Sequence, residues 1–285
     1  MIPAAFDYER AESVDHAVKL LEQGGDDAKL IAGGHSLLPL MRLRLSTPSL
    51  LVDIDRLSDL AYVREAGDAV EVGALTRIGD AAADEALREL NPLLAHTAGK
   101  VGDPQVRHRG TVGGSIAHGD PASDLPTVLL ALDGEVLAHG PGGDRTIPAG
   151  EFFSGLFETA LAPNEVLTAI RVPKMSSGTG WSYQKFHRRA IDWAIVGVAA
   201  VVHRQNGSVA GAAIGLTNMD STPVRASAVE SALAGADASP EALASAAAHA
   251  AEGTNPPGDT NGSAEYRAEL AKVLVRRALE EAVGA

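Results

Sequence analysis

Two short segments constrain this chain more than any other feature: Ala32-Gly33-Gly34-His35-Ser36 and Thr111-Val112-Gly113-Gly114-Ser115. Each leaves an apolar or β-branched residue, exposes two adjacent glycines and reaches a serine directly or one position later. Glycine lacks a Cβ, so its backbone can take positive φ and approach a ligand closely. Consecutive N–H groups in such a turn form a concave anion site, and a neighbouring hydroxyl can donate to the same anion. One Gly-Gly pair alone is usually just a turn. Two of them, opened by Ala32 and Thr111 at a separation of 79 positions, can flank a single pyrophosphate from both sides.

Charge makes that reading useful. The chain of 285 residues carries a formal net charge of −13. Nucleic acid is therefore a poor partner, because a duplex binder needs a basic face. An acidic protein must take an anion locally, on backbone N–H groups or a few placed cations. Arg107 and Arg109, beside the second segment, either offset phosphate charge or are solvated or salt-bridged. Other phosphate signatures are missing. There is no G-x-G-x-x-G, and Gly99-Lys100 lacks the upstream glycine of a P-loop. With no cysteine, the chain can hold no disulfide, thiolate nucleophile, Cys-ligated zinc or iron–sulfur cluster. His118, Asp120 and Asp124 are too scattered to argue for a metal, and none is expected. The opening residues lack the basic and apolar regions of a signal peptide. The longest strongly apolar run, 194–202, is far short of the ~20 residues that span a bilayer. A soluble, cytoplasmic protein without a transmembrane segment is expected.

The pattern along the chain mixes α and β. A helix is expected after Ser13 and ending at Gly24, with Val14, Ala17, Val18 and Leu21 on one face. A short strand then runs into the first Gly-Gly turn, followed by a helix over 37–45 and a strand over 50–54. A hairpin is expected across Gly67-Asp68, then helices over 77–83 and 84–98. The second Gly-Gly turn precedes a helix near 123–132 and a β-rich stretch to about 173. A polar, Gly/Ser-bearing break follows at 173–180. Beyond it come a strand from Trp181, a hairpin with Asn206-Gly207 at its tip, and alanine-rich helices, one starting at Ser239-Pro240-Glu241 and one over 264–283.

The stretch 32–54, AGGHSLLPLMRLRLSTPSLLVDI, together with 109–126, RGTVGGSIAHGDPASDLP, resembles the flavin-binding subunits of the molybdenum hydroxylases. The resemblance extends over nearly the whole chain. It is strongest to the carbon monoxide dehydrogenase branch; purine, nicotinate, aldehyde and aromatic-ring enzymes share the subunit. It implies an α+β fold: a two-subdomain FAD-binding domain of the vanillyl-alcohol-oxidase (PCMH) type over 1–176, then a C-terminal antiparallel sheet with helices over 177–285. It also implies that Ala32, Gly33, Gly34, His35 and Ser36, with Thr111, Val112, Gly113, Gly114 and Ser115, hold the FAD pyrophosphate. His35 would position backbone rather than transfer protons. Asp124 would bind ribityl or ribose hydroxyls, and Lys185 would line the pocket. The pair Asp192-Trp193 would reach the isoalloxazine, where the carbon monoxide enzymes often carry tyrosine; the alternative is Trp193 buried between domains.

The implied partners are a small subunit with two [2Fe–2S] clusters and a large molybdopterin subunit, assembled as a dimer of heterotrimers, and an external electron acceptor. Any membrane association would arise through that complex. Substrate is oxidised on another chain in this scheme, so no catalytic nucleophile or base is assigned here. A free-standing flavin oxidoreductase and a non-catalytic nucleotide-binding module are the alternatives.

Overall fold

A computed structural model describes residues 2–284. The chain begins with a three-stranded parallel sheet in the order Asp7–Arg10, Leu50–Asp53, Ala28–Ile31. Ser13 accepts a hydrogen bond from His16 N–H and starts the helix Val14–Gly24, which buries Ala17, Val18, Leu20 and Leu21. The helix ends at the expected Gly24, and the residue that caps it is Gly25, whose φ of 59° favours glycine. Strand Ala28–Ile31 runs straight into Ala32–Ser36, and helix Leu37–Leu43 follows. The first Gly-Gly segment thus leaves the carboxyl end of a parallel strand, where open α/β sheets bind ligands.

A five-stranded antiparallel sheet comes next, in the order Val63–Ala66, Ala69–Gly73, Val166–Pro173, Glu135–Gly140, Gly143–Pro148. Short helices cover it. The helix expected over 84–98 is two, Glu85–Leu90 and Pro92–Lys100. Asn91 ends the first and caps the second through Leu94 N–H, and proline at 92 disfavours helical backbone in the residue before it.

The second Gly-Gly segment also departs from expectation. Rather than a turn, it is the start of helix Val112–Ala117, capped by the Thr111 side chain on Gly114 N–H. Among its glycines and those of the first segment, only Gly34 has a positive φ, 74°. The others are glycine because of space. A Cβ on Gly113 would lie 2.5 Å from the Ala74 Cβ, and one on Gly33 would lie 2.2 Å from the Arg109 carbonyl oxygen. That second close approach brings the first segment against the backbone just before the second, although the two are distant in sequence.

The last third forms an antiparallel sheet, Thr179–Phe186, Val196–Gln205, Ser208–Thr217 and Val224–Arg225. Asn206 and Gly207, at φ 52° and 87°, turn its central hairpin. The strand expected from Trp181 starts at Thr179 and ends at Phe186, before the arginines. Helices Ser227–Leu233, Pro240–Ala247 and Ala264–Gly284 complete the chain. One sheet face packs on Ala264–Gly284. The other contributes Tyr183, Ala199 and Val201 to the large core around helix Asp124–Ala131. Thr217 donates to Thr127 across that contact, 2.7 Å.

Candidate functional site

A cleft of about 440 Å³ opens where the edge of the parallel sheet, the start of helix Val112–Ala117 and the first strand of the C-terminal sheet converge. Ala32, Gly33, Gly34, His35, Ser36, Thr111, Gly113, Gly114, Ser115, Asp124, Lys185, Asp192 and Trp193 all line it. Val112 does not. Its side chain is 1% exposed in the hydrophobic core with Ile116 and Leu125, because the helix turns it away from the cleft.

The two Gly-Gly segments offer different chemistry. The N–H groups of Gly33, Gly34, His35 and Ser36 donate to no other described residue. Four successive residues that line the cleft therefore carry uncommitted donors, and the His35 ring lies 3.2 Å from the Gly33 carbonyl. In the second segment the donors are already used. Val112 N–H reaches Thr76 O at 3.0 Å, Gly113 N–H reaches Ala74 O at 2.9 Å, Gly114 N–H reaches Thr111 Oγ1 at 3.2 Å and Ser115 N–H reaches Thr111 O at 3.0 Å. The expectation of a second backbone nest is thereby corrected: the Thr76 and Ala74 carbonyls consume its first two donors and the helix start at Thr111 the other two. What remains there are the hydroxyls of Thr111 and Ser115, close to the positive end of a short helix.

Asp124 opens helix Asp124–Ala131 and is 5% exposed. It accepts from Tyr183 Oη at 2.6 Å and from Lys185 Nζ at 2.8 Å. Burial pushes its carboxyl above the ordinary range, opposed by Lys185 and by the Tyr183 hydrogen bond. Burial and the Asp124 charge together push the Tyr183 phenol far up, so it stays a donor. Lys185 is 6% exposed and also reaches the Lys100 carbonyl at 3.3 Å. Residues on helix and strand, 61 positions apart in sequence, thus form one buried charged corner of the cleft.

Trp193 is 69% exposed at the cleft mouth with Ile191, 54% exposed. It is not buried between domains. Its loop closes with Ile195 N–H on Phe186 O and is braced by Asp192, which accepts from Arg189 N–H.

Arg107 and Arg109 do not line the cleft. Arg107 donates to the Val101 carbonyl, and Arg109 pairs with Asp55 at 3.4 Å, so the salt-bridged reading holds for Arg109. Sequence reasoning missed Lys29, a cation inside a short strand just before the first loop, and the apolar wall of Ile31, Ile54, Val106 and Leu167. The lysine interrupting an otherwise apolar strand was the available signal. His118, also on the wall, packs on Phe157 at 5.1 Å, and burial lowers its pKa.

Residues 4–175 match the family described as the FAD binding domain in molybdopterin dehydrogenase, and residues 181–282 match the CO dehydrogenase flavoprotein C-terminal domain. The chain belongs to this flavoprotein family. It is 44% identical to the carbon monoxide dehydrogenase medium chain of Hydrogenophaga pseudoflava, covering 99% of this chain and 98% of that one. It is 41% identical to the 6-hydroxypseudooxynicotine dehydrogenase complex subunit alpha of Paenarthrobacter nicotinovorans, over 99% and 96%. Its structure superposes on that of carbon monoxide dehydrogenase from Hydrogenophaga pseudoflava lacking the Mo-pyranopterin moiety, with a TM-score of 0.97 and 45% identity over 100% and 99% of the chains. The flavoprotein's cleft fits FAD chemically. Unused backbone donors suit a pyrophosphate, an apolar wall and an exposed indole suit flat rings, and a buried carboxylate suits sugar hydroxyls. Among the described residues, no helix is long and apolar enough to cross a membrane.

Proposed function

We propose that the chain is the electron-transfer flavoprotein subunit of a molybdenum hydroxylase complex of the carbon monoxide dehydrogenase type. In that assembly a small subunit with two [2Fe–2S] clusters delivers electrons from a large molybdopterin subunit, and an external acceptor removes them. The observation that carries the reading is the single cleft that gathers both Gly-Gly segments, Asp124, Lys185 and the Trp193 loop. The 44% identity to a carbon monoxide dehydrogenase medium chain sets the type.

Bound flavin supplies the redox chemistry, and the protein supplies binding, orientation and electrostatics. The free N–H groups of Gly33–Ser36 and the hydroxyls of Ser36, Thr111 and Ser115 hold the pyrophosphate. Lys29 adds positive charge to a strongly acidic chain. Asp124, kept oriented by Tyr183 and Lys185, accepts from a ribityl or ribose hydroxyl. Trp193, exposed at the cleft mouth, would contact the isoalloxazine. The FAD-binding unit spans 1–176 and the C-terminal unit 177–285. No residue of this chain acts as nucleophile or general base, because substrate is oxidised on another subunit.

The test is to purify the intact complex, add carbon monoxide and follow flavin absorbance at about 450 nm, a generic flavin band. Bleaching that requires all subunits is the expected result; a complex without FAD overturns the proposal. The relative at 41% identity belongs to a 6-hydroxypseudooxynicotine dehydrogenase complex, and it supports a second reading in which the substrate is an N-heteroaromatic compound. Bleaching by such a compound and not by carbon monoxide selects it. Reduction of the isolated chain by substrate selects a free-standing flavin oxidoreductase.

A further inference from the structure

Asn218 stands at the end of strand Ser208–Thr217 with φ 61°, a left-handed conformation that asparagine tolerates better than most side chains. Its two ends bind segments that adjoin different walls of the cleft. The main-chain N–H donates to the Pro121 carbonyl at 2.8 Å. Pro121 lies in the short connection that carries His118, Ser123 and Asp124, all of which line the cleft. The side-chain Nδ2 donates to the Ala194 carbonyl at 2.9 Å and reaches the Ile195 carbonyl at 3.4 Å. Ala194 directly follows Trp193. The Ile195 carbonyl has a second donor in the fully buried Arg267 of the terminal helix. The Ala194 carbonyl has no other described side-chain donor.

We propose that Asn218 is a positioning residue that ties the loop carrying Trp193 to the segment carrying Asp124, and so sets where the indole sits over the flavin. The proposal rests on the reading above that Trp193 lies against bound FAD. The left-handed backbone lets one residue donate in two directions. Its N–H points at the FAD-binding unit, and its amide points at the C-terminal loop. Arg267 fixes Ile195 whether or not Asn218 is present. Loss of the amide therefore frees the chain at Ala194, next to Trp193, and leaves the sheet below in place.

Glycine accepts positive φ without strain, so N218G removes the amide alone. N218D keeps the side-chain shape and turns a donor into an acceptor facing two carbonyls. Both are made in the full chain carrying Trp181→Phe, so that Trp193 alone reports tryptophan emission. The affinity for FAD is read by calorimetry. The expected result for N218G is FAD binding weakened about tenfold, the scale of one to two ordinary hydrogen bonds. Quenching of Trp193 emission at saturating FAD falls, and the unfolding midpoint without FAD stays close to the parent. N218D is expected to weaken binding at least as much.

Wild-type affinity and quenching in both variants overturn the proposal. Failure of both to fold overturns it in favour of a purely structural role; if only N218G fails, N218D decides. W193A separates the two layers of the argument. If W193A binds FAD as the parent does, the placement of Trp193 on the flavin is wrong, and this inference falls with it. If W193A weakens binding while both Asn218 variants do not, only the positioning role fails.

Discussion

Lys185 and Asp124 neutralise each other at 2.8 Å where water scarcely reaches. Removing one partner strands the other's charge, which typically costs about 3–5 kcal/mol in a buried pair. Lys185→Met is therefore expected to lower unfolding free energy by roughly that amount in denaturant titration, and the double variant with Asp124→Asn to lose less than the two single losses combined. Glu71 has the opposite pH logic from Asp124. Burial works to raise its carboxyl, but hydrogen bonds from Tyr62, Arg171 and Arg64 overcome this and hold it below the ordinary 4.5. Tyr62, buried against Glu71, is itself pushed up to about 12. A depressed carboxyl adds stability above its unfolded pKa and loses it as pH falls through the folded value. Asp124, with its carboxyl raised, is instead more favourable when protonated, so its contribution falls as pH rises. Acid destabilisation below about pH 4.5 is accordingly expected to shrink in E71Q, measured as the change in unfolding free energy between neutral and acidic buffer.

At the level of elements, close backbone approaches decide where glycine is required. A Cβ on Gly180 would fall 1.7 Å from the Ala282 carbonyl of the terminal helix. G180A is expected to push that helix off the sheet and cost about 3 kcal/mol or more, at the upper end for overpacking, with a matching fall in the midpoint of thermal unfolding. Gly114 differs, since its added Cβ would meet only the Thr111 hydroxyl at 2.7 Å. G114A should keep the fold, lose about 1 kcal/mol of helix capping, and weaken FAD binding read by flavin fluorescence.

Local chemistry made much of this legible in advance. Ser13 and Ser239 cap where a side-chain oxygen precedes an apolar period, and Asn206-Gly207 turns the hairpin. The first Gly-Gly loop could be read as a donor cradle because a strand leads into it. The helix at 112–117 could not. Six residues with two glycines carry no periodic signal and the poorest propensity short of proline. The reason Gly113 is there lies in Ala74, just past the strand Ala69–Gly73 and distant in sequence. Asp124 was found, but its tether to Tyr183 and Lys185 joins residues about sixty positions apart, which no local pattern encodes.

Across the whole molecule, the cleft is walled by the parallel sheet, the five-stranded sheet's helices and the C-terminal sheet. A ligand seated there ties them into one thermodynamic unit. FAD at 100 times its dissociation constant is expected to raise unfolding free energy by about 2.7 kcal/mol, seen as a concentration-dependent upward shift of the thermal midpoint.

The contrast between the two Gly-Gly segments reaches beyond affinity. The amides of Val112–Ser115 are satisfied by the protein itself, whereas those of Gly33–Ser36 are left to whatever fills the cleft. In deuterated water the first set should keep its protons through many turnovers of local opening, with or without FAD. The second should exchange quickly until FAD arrives and then fall silent. Proton exchange at four consecutive residues thus becomes a clock for occupancy, readable in the assembled complex without touching its colour or its activity.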